Sequence, residues 1–183
     1  MLTLILLRHA KSSWDHAQLS DFKRPLAKRG KKAAPEMGAE LARLGLRPDL
    51  ILCSGAARAR ETLALVLPEL GSQSPPVVYD DALYMALPDG LLTGLHAIKP
   101  DHHGKSPQCV MMVGHNPGFE ELALLLVGDG VEKVQIIVYG TSVVKGKFIY
   151  HYRFGLYDGQ PSIARLLDEE KKNVAAFLAA NPQ

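Results

Sequence analysis

TLILLRHAKS, residues 3–12, is the stretch that decides the fold. Its apolar part, Thr3–Leu7, passes directly into the charged pair Arg8 and His9. A short apolar run bounded by polar residues is typical of a strand that is buried on both faces of a sheet. Polar side chains that follow such a strand lie at its carboxyl edge, where open α/β sheets bind ligands. The stretch therefore predicts a buried first strand that presents Arg8 and His9 to a ligand.

Further apolar runs alternate with helical patterns along the chain. The other predicted strands are Leu50–Cys53, Cys109–Val113, Val134–Tyr139, Phe148–Phe154 and a shorter one, Val77–Tyr79. The predicted helices are a pattern on Ala34, Met37, Leu41 and Leu44, then Ala57–Leu67, a segment that begins at Asn116-Pro117, and Ile163–Ala180. Segments 68–76 and 99–108 are expected to be surface loops. This alternation predicts an α/β fold with a largely parallel sheet, and 183 residues predict a single domain over 1–183.

Local signals set the expected ends of these helices. Gly45 is expected to end the first helix, and Pro35 inside its pattern should kink the helix or reset its start. Pro68 should stop the second helix. Asn116 is expected to cap the third helix, with Pro117 at its first position.

The composition is that of an ordinary globular protein, with 47% hydrophobic residues, 22% charged residues and a net charge of +2. With charges so nearly balanced, we expect no strong electrostatic attraction to nucleic acid or to an anionic membrane. No run approaches the ~18 apolar residues of a membrane span. Cys53 and Cys109 lie in or at the end of apolar runs and form no CxxC pair, so they are expected to be buried thiols. A reducing, cytoplasmic location is expected, since the start also lacks the basic region of a signal peptide.

Three predicted strands are followed by unusual polar residues. Arg8 and His9 follow the first strand, Arg58 comes shortly after the second, and His115 follows the run that ends at Val113. Because the carboxyl ends of parallel strands share one edge, these side chains are expected to converge there. Arginines bind phosphate oxygens as planar forks, and two helix starts nearby add amide donors for an anion. The arrangement predicts a phosphate-binding pocket.

Each of these residues also has a plainer interpretation. A single histidine after a strand is commonly a hydrogen-bonded structural residue, and a single arginine at a helix start is commonly solvated or paired. Arg60 lies two positions from Arg58, and spacing alone does not choose between them. The phosphate hypothesis depends on all of these groups falling at the same kind of position.

At these residues the sequence resembles the histidine phosphatase superfamily, which includes the cofactor-dependent phosphoglycerate mutases. The resemblance is closer to the small SixA-like phosphohistidine phosphatases, and it covers roughly residues 3–67 and 109–127. The motifs that carry it are Arg8-His9-Ala10, Ser54-Gly55-Ala56-Ala57-Arg58 with Thr62, Val113-Gly114-His115-Asn116-Pro117, Arg24-Pro25-Leu26 with Gly30, and Trp14.

The sequence departs from the family pattern at several positions. Ala10 replaces a glycine, which predicts that the backbone there does not need a positive φ. Gly55 replaces a proline. Asp15 stands where mutase-like members often carry a phosphate-contacting asparagine. A carboxylate facing a phosphate dianion would repel it, so Asp15 is expected to point away or to pair with a cation such as Lys11.

The resemblance implies a phosphoglycerate mutase-like, three-layer α/β sandwich and a metal-independent phosphatase that needs no cofactor. His9 would accept the phosphoryl group, while Arg8 and Arg58 would bind its oxygens and lower the pKa of His9. His115, its pKa raised by the dianion, would stabilise charge on the transferring group. Ser12 is a further candidate for phosphate binding.

The acidic proton donor of the family has no match, and members of the small branch also lack it. Asp80 and Asp81 fall in the right part of the chain but without a recognisable motif. A serine phosphate expels an alkoxide and needs such a donor, whereas a phosphohistidine expels a neutral imidazole. The expected substrate is therefore phosphohistidine on a protein, or a small phosphate ester with a good leaving group. The sequence does not determine the oligomeric state.

The sequence also leaves other functional classes to compare with a histidine phosphatase. Cysteine-dependent phosphatases need C-x5-R, whereas Cys53 and Arg58 are spaced C-x4-R. The short chain and missing acid oppose a phosphoglycerate mutase, and no GxGxxG follows the first strand to bind a dinucleotide. A non-catalytic phosphate-binding module would not need both histidines. A metal site on His102, His103 and His115 lacks a supporting carboxylate pattern.

Overall fold

The computed structural model describes residues 3–15, 17–71, 75–128, 135–140 and 150–155, the last two ranges by their backbone alone. The predicted helix Ile163–Ala180 lies outside these residues. The strands of the sheet are β1 Thr3–Arg8, β2 Leu50–Ser54, β3 Val77–Asp80, β4 Cys109–Gly114, β5 Gln135–Gly140 and β6 Tyr150–Gly155. All six predicted strands are thus present, with ends that differ from the predicted ones by a residue or two.

The strands form one six-stranded sheet in the order β3-β2-β4-β1-β5-β6. Every neighbouring pair is parallel except β5 and β6, which are antiparallel. In the register of β1 and β4, Arg8 lies opposite Gly114. Because the two strands end side by side, the residues that follow each of them meet at the same carboxyl edge.

In the part of the chain that the structure describes, four helices flank the sheet: α1 Lys28–Arg43, α2 Ala57–Val66, α3 Pro88–His96 and α4 Gly118–Gly128. Along β1, Ile5 and Leu7 pack with α1 and α2 on one face, while Leu4 and Leu6 pack with α3 and α4 on the other. This is the two-residue alternation of a strand buried on both faces. The structure therefore confirms the predicted three-layer α/β sandwich with a mostly parallel sheet.

The helix ends follow the sequence signals in part. The first helix ends as predicted, because Gly45 adopts a φ of 70° and the Leu46 amide donates to the Leu41 carbonyl at 2.9 Å. Pro35, however, lies inside a continuous α1, so it does not reset the helix start. The second helix stops at Val66, one residue before the predicted end, and passes into a 3-10 turn.

The prediction for the third helix was wrong at its start. α4 begins at Gly118, so Asn116 lies two residues before the helix and Pro117, whose carbonyl accepts from the Glu121 amide at 3.0 Å, directly precedes its first residue. The Asn116-Pro117 peptide bond is cis. The Asn116 side chain instead donates to Glu120 in the first turn of α4.

Several short elements carry no clear pattern in the sequence. α3 is one of them, and the others are the 3-10 turns Asp21–Lys23, Leu67–Leu70 and Asp81–Leu83. The turn Leu67–Leu70 overlaps the start of segment 68–76, which was predicted to be a loop. Among the helices that the structure describes, none is long and apolar enough to cross a membrane.

Candidate active site

The ends of β1 and β4 bring two histidines together. The His9 amide donates to the Gly114 carbonyl at 2.9 Å, which continues the pairing of β1 and β4 past the strand end. The ring centroids of His9 and His115 are 5.1 Å apart. Two residues separated by more than a hundred positions in the chain thus become neighbours, as the shared sheet edge predicts.

The His9 ring is held in one orientation. Its Nδ1 lies 2.7 Å from the Ala10 carbonyl oxygen, which can only accept, so Nδ1 carries the proton and Nε2 keeps its lone pair. The Ala10 amide donates to Thr62 Oγ1 at 3.0 Å, and this hydroxyl donates to the Arg58 carbonyl at 2.6 Å. Thr62 therefore ties the segment after β1 to the helix that carries Arg58. Ala10 does not have a positive φ, as predicted from its side chain.

The structure distinguishes Arg58 from Arg60. Arg58 is buried on the first turn of α2, and its Nε donates to His9 Nε2 at 3.1 Å. Arg60 is exposed, with its guanidinium carbon 4.4 Å from the centre of the Tyr79 ring. Residues two apart on a helix point to different sides, so one arginine reaches the histidines and the other does not.

Asp21 and Arg24 also enter the site, and neither was predicted from the sequence to belong to it. Asp21 Oδ2 accepts from Arg58 Nη2 at 2.8 Å and from the Tyr84 hydroxyl at 2.6 Å. Asp21 Oδ1 accepts from Arg24 Nη1 at 2.6 Å. One carboxylate thus joins two guanidinium groups from separate elements. The only sequence signal was Arg24-Pro25-Leu26, which supported the family resemblance but was not assigned to the site.

Ser12 and Ser54 form hydrogen bonds with other residues of the site. Ser12 Oγ accepts a hydrogen bond from Arg24 Nη2, and the Ser13 carbonyl accepts from Arg24 Nε at 3.0 Å. Ser54 Oγ lies 2.9 Å from His115 Nε2. Ser12 therefore faces the site, where its hydroxyl is engaged with Arg24.

These residues surround an open cavity of about 360 Å³. Four described cationic side chains and one described carboxylate line it: Arg8, Lys11, Arg24, Arg58 and Asp21. His9 also lines the cavity, whereas His115 is buried beside the His9 ring and does not. The cavity is thus predominantly positive and suits a small anion.

Burial changes the protonation of both histidines. Removal from water is the largest cause that lowers the pKa of His9, to about 4, and Arg58 and Arg8 lower it further. Burial also lowers the pKa of His115, to about 3, with further contributions from His9 and Arg58. Arg8 and Arg58 were expected to lower the pKa of His9, and both do so, although burial lowers it more. The predicted rise in the pKa of His115 concerns the phosphate-bound site and stays a prediction.

The other candidate carboxylates lie apart from the cavity lining. Asp15 accepts from Ser13 Oγ at 2.8 Å, which agrees with the expectation that it points away. Asp80 accepts from the Ala82 amide at 2.8 Å. A Cβ atom on Gly55 would lie 1.7 Å from Asp81 Oδ1, so the missing side chain at Gly55 leaves the space that Asp81 occupies.

The structure also bears on the cysteine and metal alternatives. Burial raises the pKa of the Cys53 thiol to about 12, which disfavours the thiolate that a cysteine-dependent phosphatase needs. Cys109 is only partly buried, unlike the expectation for it. His102 and His103 contact each other in an exposed loop, and the described residues contain no group of three or more histidine, cysteine or carboxylate side chains suited to a metal.

Comparison with known proteins agrees with this geometry. Residues 4–84 match the family model of the Histidine phosphatase superfamily (branch 1). An uncharacterised chloroplastic protein of Arabidopsis thaliana is 39% identical over 132 residues, which are 70% of this chain and 61% of that protein. The chain thus spans less than two thirds of that relative. An uncharacterised protein of Mycobacterium leprae is 36% identical over 68% of this chain and 73% of its own length.

A solved structure assigned as the phosphohistidine phosphatase SixA of Agrobacterium tumefaciens superposes with a TM-score of 0.58. It is 34% identical and covers 68% of this chain and 76% of its own. A second SixA assignment, from Nakamurella, has a TM-score of 0.57 at 33% identity. The sheet order, the paired histidines and these relatives agree, and the chain belongs to the histidine phosphatase superfamily, in its SixA-like branch.

Proposed function

We propose that this protein is a phosphatase that transfers a phosphoryl group to His9 and prefers phosphohistidine on a protein as its substrate. The observation that carries the proposal is the unprotonated Nε2 of His9, held in a cavity that Arg8, Arg24 and Arg58 line. A neutral imidazole is the form that attacks phosphorus, and guanidinium groups bind the phosphoryl oxygens. We also propose that residues 1–183 form one domain.

In the first step, Nε2 of His9 attacks phosphorus, and the bond between phosphorus and the substrate imidazole breaks. The electron pair of that bond returns to the substrate ring, whose other nitrogen already carries a proton, so a neutral histidine leaves. His9 becomes a phosphorylated imidazolium, with its Nδ1 proton still donated to the Ala10 carbonyl. Arg58, which donates to Nε2 in the free protein, transfers this hydrogen bond to the phosphoryl oxygens.

In the second step, water attacks phosphorus and the bond to His9 Nε2 breaks. The ring regains its lone pair and its neutral form, and dihydrogen phosphate leaves and loses a proton to solvent. His115, 5.1 Å from His9, gains a proton as the dianion binds and stabilises the charge on the transferring group. The two histidines titrate as a coupled pair because they share one pocket.

The choice of substrate rests on the leaving group. Asp21 is the carboxyl group among the described cavity residues, and the Tyr84 hydroxyl and Arg58 hold its pKa below the usual range. It is therefore ionised at neutral pH and carries no proton to donate. An alkyl phosphate needs such a proton, an effect worth roughly 10²–10⁴-fold, whereas imidazole and phenolate leave more readily. Small phosphate esters with good leaving groups are the second candidate substrate.

The test is covalent labelling of His9. After brief exposure to labelled phosphohistidine protein and an alkaline quench, the label should reside on His9 and be acid-labile. His9→Ala should abolish both the label and turnover, and His102→Ala, a histidine in an exposed loop, should change neither. Phosphate binding without turnover in the unmodified protein would instead identify a phosphate-binding module. Label on Cys53 would show a different mechanism.

A substrate panel tests the leaving-group argument. Phosphohistidine peptide and aryl phosphate should be hydrolysed well above phosphoserine peptide or sugar phosphates, and chelators should leave turnover unchanged. Asp80→Asn and Asp81→Asn should affect the aryl substrate only slightly, because neither carboxylate lines the cavity. Efficient alkyl phosphate hydrolysis that one of these two changes abolishes would contradict the assignment.

A further inference from the structure

Two exposed apolar side chains border the phosphate cavity. Trp14 is 72% exposed and Met85 is 48% exposed, yet both contribute to the lining of the same cavity as His9. Large apolar side chains that stay exposed to water in the folded protein contribute little to its stability through burial. Their position indicates contact with a ligand that extends out of the cavity.

The Trp14 ring is fixed from within the site. The Arg24 guanidinium carbon lies 3.3 Å from the centre of the indole ring, which is a close cation–π contact. Arg24 is itself buried and bound to Ser13, Asp21 and Ser12. The cation that covers one side of the indole is thus rigid, and the high exposure of Trp14 leaves the rest of the ring free to stack.

Met85 is held in an uncommon backbone conformation. Its φ is 51°, which lies in the left-handed region that residues other than glycine rarely adopt. It follows Tyr84, whose hydroxyl is bound to Asp21 and whose ring contacts His115 edge-on. The site therefore fixes the position of Met85, and its thioether is suited to contact with an aromatic ring.

We infer that Trp14 and Met85 bind the leaving group of the substrate, and that this group carries a flat ring, such as the imidazole of a phosphohistidine side chain. The inference rests on the proposed function and refines its substrate class. The buried Arg24 and Arg58 would hold the phosphoryl group, so the leaving group would extend toward the exposed Trp14 and Met85. A flat ring can stack on the free side of Trp14 and contact Met85, whereas an alkyl group offers no stacking face.

The experiment compares binding of three phosphonates that are not hydrolysed: phenylphosphonate, cyclohexylphosphonate and methylphosphonate. The unmodified protein should bind the phenyl compound more tightly than both others. Trp14→Ala should weaken phenylphosphonate roughly 3- to 10-fold, the range of an aromatic stacking contact, and Trp14→Phe should recover most of the loss. Met85→Ala should weaken it less. Leu87→Ala, an exposed residue outside the cavity lining, is the matched control and should have no effect.

Binding of inorganic phosphate distinguishes direct contact of Trp14 with the leaving group from an indirect role in which Trp14 only holds Arg24 in place. Its affinity should be the same in the unmodified protein and in Trp14→Ala. If phosphate and phenylphosphonate weaken equally, Trp14 acts only by holding Arg24, and the inference is wrong. Equal affinity for the phenyl and cyclohexyl compounds would also overturn it. Because no compound is turned over, a failure of catalysis at His9 would leave this result intact and would be detected separately by labelling.

Discussion

The candidate site is built from two regions that differ in the contacts that hold them in place. The strand-end group, His9 and His115 with Arg58 from the following helix, is held through the sheet and through hydrogen bonds of buried groups. The turn group, Asp21 and Arg24, lies on and just after a 3-10 turn, and Asp21 is exposed. Under the proposed function, the first group would supply the nucleophile and its electrostatic support, and the second would balance the charge that an incoming anion meets. Changes in the first should remove chemistry, whereas changes in the second should change affinity.

The largest effect is expected at Arg58. Arg58→Lys keeps the charge but loses the fork that reaches both His9 and Asp21, so kcat/KM for an aryl phosphate should fall about 10²–10³-fold. Arg60→Lys is the matched control on the same helix and should leave turnover nearly unchanged, because its side chain contacts Tyr79 at the surface. If Arg58→Lys left kcat/KM unchanged and Arg60→Lys lowered it, Arg58 would not act with the strand-end group.

A smaller effect of opposite sign is expected at Asp21. Its carboxylate pairs with Arg24 and Arg58, the cations that a phosphate would bind, and it adds a negative charge to the cavity. Asp21→Asn should therefore tighten inhibition by inorganic phosphate, by about tenfold for a partly exposed charge at this range. Asp15→Asn, which removes a carboxylate outside the cavity lining, should leave phosphate inhibition unchanged. Weaker phosphate binding in Asp21→Asn would mean that orienting the arginines outweighs the repulsion.

A third effect, on stability and not on turnover, is a pH dependence that comes from the strand-end histidines. The folded protein holds the pKa of His9 at about 4 and that of His115 at about 3, below the ordinary value of ~6.5 in an unfolded chain. At pH values between about 4 and 6.5 the unfolded chain binds more protons than the folded protein does. The free energy of unfolding should therefore fall as the pH drops from about 6.5 toward 4. Urea denaturation at a series of pH values measures this slope.

The matched variants for the pH series are His115→Gln and His102→Gln. Replacing the buried histidine should flatten the slope, while replacing the exposed loop histidine should leave it as it was. An unchanged slope in His115→Gln would show that this residue is not the buried neutral group that the structure describes.

The strands were predictable because each is a short apolar run, and burial on both faces requires such a composition. α3 was not predictable in the same way. It is a short helix with Gly90 and Gly94 inside it, and interior glycines oppose a helix in the absence of tertiary contacts. Its Leu91 is buried against the sheet, and this packing outweighs the weak propensity.

The start of α4 shows the limit of local signals. Asn followed by Pro is a common helix start, yet here the peptide bond between Asn116 and Pro117 is cis and α4 begins at Gly118. A Cβ atom at Gly118 would lie 2.0 Å from the Ala86 carbonyl oxygen. The close approach of this distant backbone segment requires a glycine there, and that contact cannot be inferred from neighbouring residues.

The sequence by itself determined which side chains stand at the carboxyl ends of the strands. Strand ends follow from local composition, and parallel strands place their ends on one edge, so the meeting of His9 with His115 could be predicted. Only the tertiary structure decided that Arg58 and not Arg60 reaches His9, and that Asp21 joins Arg58 to Arg24. These contacts depend on the rotation of α2 and on the path of the chain through residues 21–24. Both are set by packing between segments far apart in sequence, which no local pattern records.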